Sequence, residues 1–157
     1  MWGSRDIFRR ENVSHVDMKG LEADIDYMPC RGLKINLNYS YNDPRIEDFA
    51  EKPELIDKVL TYAPKNQVKV YILWTGGVLD VMVRGRYKSK QYTTEDNTAS
   101  IAGFTVWDAQ VSKWLFRRRL YIGAEIINVF DNRHMNTREY VSAGRLANVK
   151  LAVNLNR

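Results

Sequence analysis

The sequence predicts an all-β chain, laid out as an antiparallel up-and-down meander of seven to eight long strands. Three observations predict it. Apolar and polar residues alternate with period two in segment after segment, no segment sustains a helical period, and tight turns alternate with long polar loops.

Between residues 20 and 28, Leu21, Ala23, Ile25 and Tyr27 point one way and Glu22, Asp24 and Asp26 the other. From 33 to 42, Leu33, Ile35, Leu37, Tyr39 and Tyr41 oppose Lys34, Asn36, Asn38, Ser40 and Asn42. Val68, Val70, Ile72 and Trp74 oppose Gln67, Lys69 and Tyr71, and then Leu79, Val81, Val83 and Tyr87 oppose Asp80, Arg84, Arg86 and Lys88. Segments 104–115 and 120–130 alternate less strictly but are rich in β-branched and aromatic residues. Near the end, Ala147, Val149, Leu151, Val153 and Leu155 oppose Asn148, Lys150, Asn154 and Asn156. Tight turns are expected at Pro29-Cys30-Arg31-Gly32, Gly76-Gly77 and Arg117-Arg118-Arg119, with long loops at 43–64, 91–103 and 131–143. All four prolines fall in turns or loops, where a missing N–H breaks no ladder.

Composition narrows the class. A chain of 157 residues with 45% apolar and 27% charged residues is one domain or a piece of a larger one, not a disordered segment. The longest apolar run, Val70 to Trp74, is far short of the ~20 residues of a membrane-spanning helix, but a β-strand crosses with only ~9–11. The net charge of +5 does not point to nucleic acid, because acids and bases are interspersed and the one basic run, Arg117 to Arg119, reads as a solvated turn. Cys30 stands alone, with no disulfide framework and no CxxC pair. Residues 1–10 are charged and read as no signal peptide, so the expectation is a cytoplasmic protein or a mature or truncated segment of an exported one.

Strand length decides for the membrane. Soluble strands average ~5–6 residues, whereas these run to about ten, which at a tilt of ~45° span ~23 Å. That matches the ~25 Å apolar band of an outer-membrane barrel. Aromatic residues agree. Tyr27, Trp74, Trp114, Phe116 and Tyr121 are expected at the short-turn end, and Tyr39, Tyr41, Tyr87, Tyr92, Phe104, Trp107 and Phe130 towards the long loops. Two belts of this kind mark the two membrane–water interfaces. Glu22, Asp24, Asp26, Arg84, Arg86 and Lys88 would overload a small dry core with charge, and suit a hydrated lumen with an Arg84 or Arg86 pair to Asp108.

Several short motifs, in order, resemble one family. They are Gly20-Leu21-Glu22, Tyr39-Ser40-Tyr41-Asn42-Asp43, Tyr62-Ala63-Pro64-Lys65-Asn66, Gly103-Phe104-Thr105-Val106-Trp107-Asp108, Ile127-Asn128-Val129-Phe130-Asp131-Asn132 and Gly144-Arg145. Together they resemble the C-terminal part of the barrel of TonB-dependent outer-membrane receptors. The resemblance carries Gly20, Glu22, Tyr41, Asp43, Pro64, Asp108, Asn128, Phe130, Asp131, Gly144 and Arg145 as structural motif positions. It implies residues 16–157 as the barrel segment, with 1–15 as a frayed end of a preceding strand, at 5–10, and a loop. It also implies a place in the cell outer membrane, lipid around the barrel, a plug domain and further strands elsewhere in the parent, and TonB acting through that plug. The cargo would be a scarce nutrient such as a ferric siderophore, haem or cobalamin, with its binding residues unspecified. One departure stands out: such barrels end on an aromatic residue, whereas this chain ends on Arg157.

No catalytic constellation appears. His15 and His134 are expected in solvated loops without ligand-spaced partners, so neither metal nor cofactor is expected. Glu47, Asp48, Glu51, Glu54 and Asp57 read as a solvated acidic loop, and Ser14-His15 lacks the strand–turn–helix frame of a hydrolase. Two other readings stay open: a complete eight-stranded outer-membrane barrel with a structural or adhesion role, and a soluble β-barrel for an apolar ligand.

Overall fold

Strict alternation commits each segment to a sheet with one apolar and one polar face, and fixes the pairing register, because a one-residue slip would swap the faces. In the computed structural model, which describes residues 15–155, this is the arrangement. The strands are β1 (His15–Cys30), β2 (Leu33–Asp48), β3 (Asn66–Thr75), β4 (Asp80–Lys88), β5 (Gln91–Tyr92), β6 (Ser100–Ile101), β7 (Phe104–Leu115), β8 (Leu120–Ile127), β9 (Met135–Thr137), β10 (Tyr140–Val141) and β11 (Leu146–Val153). Seven of them form one antiparallel sheet in the order β1-β2-β3-β4-β7-β8-β11, and β5–β6 and β9–β10 are separate hairpin ladders in the loops. The expected frayed strand at 5–10 and the terminal Arg157 lie outside the described residues.

Registers keep the two faces in phase across the sheet. Ile25, Leu37, Val70 and Gly85 are successive cross-strand partners on the apolar face, and Asp24, Asn38, Lys69 and Arg86 on the polar one. Gly85 is what lets Trp107 lie flat on the apolar side, since a Cβ there would come within 2.7 Å of the indole ring. At the first hairpin, Gly32 takes φ +87°, and a Cβ would fall 2.6 Å from the Thr75 carbonyl oxygen, so only glycine fits.

Several boundaries differ from expectation. β1 and β2 are 16 residues each and pair as far as His15 with Asp48, so the loop expected from residue 43 begins as strand, and His15 opens β1 rather than lying in a loop. β8 stops at Ile127, not 130, because Asn128 turns to φ 56° and leaves the ladder. The belt at the short-turn end is also split. Tyr27 and Trp74 lie on the apolar face, but Trp114 and Tyr121 share the polar face, where the Gln110 amide donates to the Tyr121 hydroxyl at 3.0 Å. Both rings follow the parity set by Asp108 and Glu125, so they cannot also face the apolar side.

Buried apolar packing sits in the first long loop. Ile46, Phe49 and Leu55 form a small cluster with Leu60 against it, closed by a 3-10 turn at Pro53–Leu55. β1 and β11 are the two outer edges, with no ladder between them among the described residues.

Candidate functional site

On the polar face a row of charges crosses four strands. Arg84 of β4 reaches Glu125 of β8 at 2.8 Å and Asp108 of β7 at 3.6 Å; Arg86 lies 3.8 Å from Asp108; Lys150 of β11 meets the other Glu125 oxygen at 2.8 Å. The expected Arg84 or Arg86 pair with Asp108 is therefore present, but Glu125, 6% exposed, is the tighter partner. At the other side of the sheet, Asn36 donates to Asp24 and Asp26, and Lys34 pairs with Asp26 at 3.2 Å. Burying Asp108 and Glu125 is tolerable only because each finds an opposite charge; the Asp24, Asp26 and Lys34 group is exposed. Removing one partner strands the other.

The three long loops form a joined layer at one end of the sheet. Val59 bridges Arg45 on one side. On its other side it exchanges two hydrogen bonds with the Asn97 side chain: its N–H donates to Oδ1 and its carbonyl accepts from Nδ2, both at 2.8 Å. Asn97 thus mimics a neighbouring strand, and its φ of 61° is a conformation asparagine tolerates. Lys52–Glu95 at 3.2 Å and the Tyr62 N–H to the Tyr92 carbonyl complete the first seam. The third loop joins through the Gln91 amide, which donates to the Asn136 carbonyl at 2.7 Å. His134 is not simply solvated. Its ring stacks on Phe104 at 3.7 Å, and its Nδ1 lies 3.1 Å from the Asn132 carbonyl and 3.0 Å from the Ser142 hydroxyl. One ring tautomer donates from Nδ1 to the carbonyl, and the other accepts there from the Ser142 hydroxyl. At the far end of β2, Glu47 pairs with His15 at 3.1 Å. Beside it, the hydrogen bond from Lys65, helped by Arg45, holds the Asp43 carboxyl below the ordinary aspartate value.

The singled-out residues fall into two groups. Asp108, Asn128, Asp131, Gly144 and Arg145 meet where β8 ends. Asp108 Oδ1 accepts the Asn128 N–H at 3.0 Å. The Asn128 amide bonds the Asn132 backbone at both ends, and Asp131 accepts the Arg145 N–H at 2.7 Å. A Cβ on Gly144 would collide with the Asp131 carboxylate. Gly20, paired with Asn42, Glu22, paired with Ser40, Tyr41, Asp43 and a buried Pro64 lie along β1, β2 and the entry to β3 instead. Phe130 is exposed.

A family model described as "TonB dependent receptor-like, beta-barrel" matches residues 2–129. The chain belongs to that family. Solved TonB-dependent receptors share its fold. The ferric preacinetobactin receptor BauA from Acinetobacter baumannii is 22% identical with a TM-score of 0.75, over 87% of this chain and 22% of that one. The ferric citrate transporter FecA is 18% identical at TM-score 0.77, over 88% of this chain and 24% of its own. The ferripyoverdine receptor of the outer membrane of Pseudomonas aeruginosa is 19% identical at TM-score 0.65, over 83% and 18%. The chain thus spans about a quarter or less of the length of each of these TonB-dependent receptors. Among the described residues no group of three or more His, Cys, Asp or Glu side chains is placed to hold a metal ion.

Sequence reasoning missed Asn97, Glu125 and Lys150. Alternation alone puts Tyr121, Gly123 and Glu125 on one face, which was the available signal for Glu125. Nothing local marks Asn97 as a latch, because its partner is 38 residues away.

Proposed function

We propose that these residues form the C-terminal wall of an outer-membrane receptor for TonB-dependent uptake of a scarce nutrient, a ferric chelate foremost. The observation that carries the reading is the two-faced sheet. An apolar side of membrane-spanning length backs a polar side whose charges cross four strands, under a tied cap of three loops. The lengths suit a barrel wall in lipid, and the paired charges suit a hydrated lumen. Ferric ligands enter from the names of the structural relatives, which are described as receptors and transporters of ferric complexes. The plug and remaining strands belong, on this reading, to a longer parent, and TonB acts through that plug. Catalysis has no part in it. Asp108, Asn128, Asp131, Gly144 and Arg145 act as a clasp that holds the last hairpin in register, and they do not contact cargo.

Disruption of the gene encoding the parent tests this. Loss of energy-dependent uptake of a labelled ferric chelate, restored by the intact gene, is the expected result. Unchanged uptake of ferric chelates, haem and cobalamin overturns the proposal.

A further inference from the structure

At the short-turn end the apolar face does not run smoothly to its edge. Leu79, Val111, Leu115, Ile122 and Ala124 line a groove of about 240 Å³, with Lys113 at its border. Ala124 opens it: its cross-strand partners on the same face are Val111 and Val149, and a larger side chain there would fill the space. Lys113 pairs in register with Ile122, so by parity it belongs to the apolar face, where a lone cation is costly unless its stem lies along apolar surface and its head reaches a polar layer. Two residues beyond it the strand ends in a turn where Phe116, Arg117 and Arg118 take φ of 50°, 56° and 66°. Consecutive left-handed residues other than glycine are strained, and strain of this kind is retained where it serves something. Here it projects Phe116, 73% exposed, and three successive arginines. None of the Arg117, Arg118 and Arg119 guanidinium groups pairs with a carboxylate among the described residues.

An apolar groove bordered by a lysine and capped by three unpaired arginines and an exposed aromatic ring matches one molecule, an anionic phospholipid. We infer that the β7–β8 hairpin binds such a lipid, with an acyl chain in the Leu79–Ala124 groove and the headgroup phosphate on Lys113 and the arginine turn. Charge complementarity and the continuity of groove and basic rim select this occupant over a protein partner, which would have no use for a groove opening on the apolar face. The inference rests on the reading that this face lies in a membrane.

The test separates the two. The parent receptor that carries these residues is first floated with neutral phosphatidylcholine vesicles, then analysed by native mass spectrometry from micelles holding equal phosphatidylglycerol and phosphatidylcholine. Flotation with retention of phosphatidylglycerol by at least about tenfold is expected. The preference should vanish in Arg117→Gln/Arg118→Gln/Arg119→Gln and weaken in Ala124→Trp, which keeps every charge but fills the groove. Lys69→Gln, a lost cation on the polar face, should leave it intact, and millimolar inorganic phosphate should not displace the lipid. Failure to float overturns the membrane reading together with this site. Flotation without lipid preference, displacement by phosphate, or an unchanged preference in either the arginine or the Ala124 variant overturns the site alone.

Discussion

The carboxylate of Asp108 accepts the backbone N–H of Asn128 at 3.0 Å, across the β7–β8 hairpin, at the point where Asn128 turns left-handed and ends its strand. Asn128 is 3% exposed, so this N–H has no water to fall back on. Asp108→Ala should cost about 1–3 kcal/mol from the orphaned donor alone, and should also remove an anion from beside Arg84 and Arg86. The midpoint of urea unfolding in detergent measures it. A loss no larger than that of an exposed control such as Glu51→Ala would show that the bond contributes nothing.

The Asn97 latch gives a second expectation. Asn97→Gly permits the same φ but deletes both bonds to Val59. At roughly 1 kcal/mol per bond, hydrogen exchange at the Val59 amide should quicken by about tenfold or more. Unaltered exchange would mean that the first and second loops are held together by other contacts.

Acid should loosen the first loop by way of Asp43. Its folded pKa lies below the ordinary value, first through the Lys65 hydrogen bond and then Arg45, and it stands beyond the apolar stretch of β2. A depressed carboxyl stabilises the folded form above its unfolded pKa of ~3.9 and loses that contribution as pH falls through the lower folded value. Pepsin cleavage in 43–64 should therefore rise as pH falls below ~4, and Lys65→Gln should move the onset upward. Identical profiles for the two proteins would rule Asp43 out.

The two faces should answer differently to charge. Leu37→Arg or Val83→Arg places a cation on the apolar face and should cost about 2–4 kcal/mol if near the membrane midplane. Asn38→Arg, on the polar face between Asp24 and Lys69, should cost far less. Equal penalties in a lipid refolding titration would count against a membrane-facing apolar side.

Residues 1–157 alone should not close into a stable barrel. Among the described residues β1 and β11 are both unpaired edges, and each unsatisfied backbone group in hydrocarbon costs several kcal/mol. A few such groups exceed the ~5–15 kcal/mol of net stability a domain has. Eight strands enclose an interior only wide enough for packed side chains, too narrow for the Arg84–Glu125–Lys150 row together with Glu22, Asp24 and Lys69. A heat-modifiable monomer in micelles with hydrogen bonds joining β11 to β1 would refute this.

The sequence by itself determined the meander, because period-two alternation assigns every residue of a strand to a face and forbids register slips. It also determined the short-turn and long-loop ends, through the placement of glycine and proline. Tertiary structure alone decided the rest. The length of β1 and β2 beyond residue 42 depends on pairing across to Asp48 and Val59, which polar residues such as Asp43 and Arg45 do not announce. Trp114 and Tyr121 looked like belt residues because composition counts rings without saying which face they are on. His134 read as solvated and Asn97 drew no reading, because their partners, Phe104 and Val59, lie 30 and 38 residues away. A hydrogen bond across such a distance leaves no period in the chain; it exists only once the strands have brought the loops together.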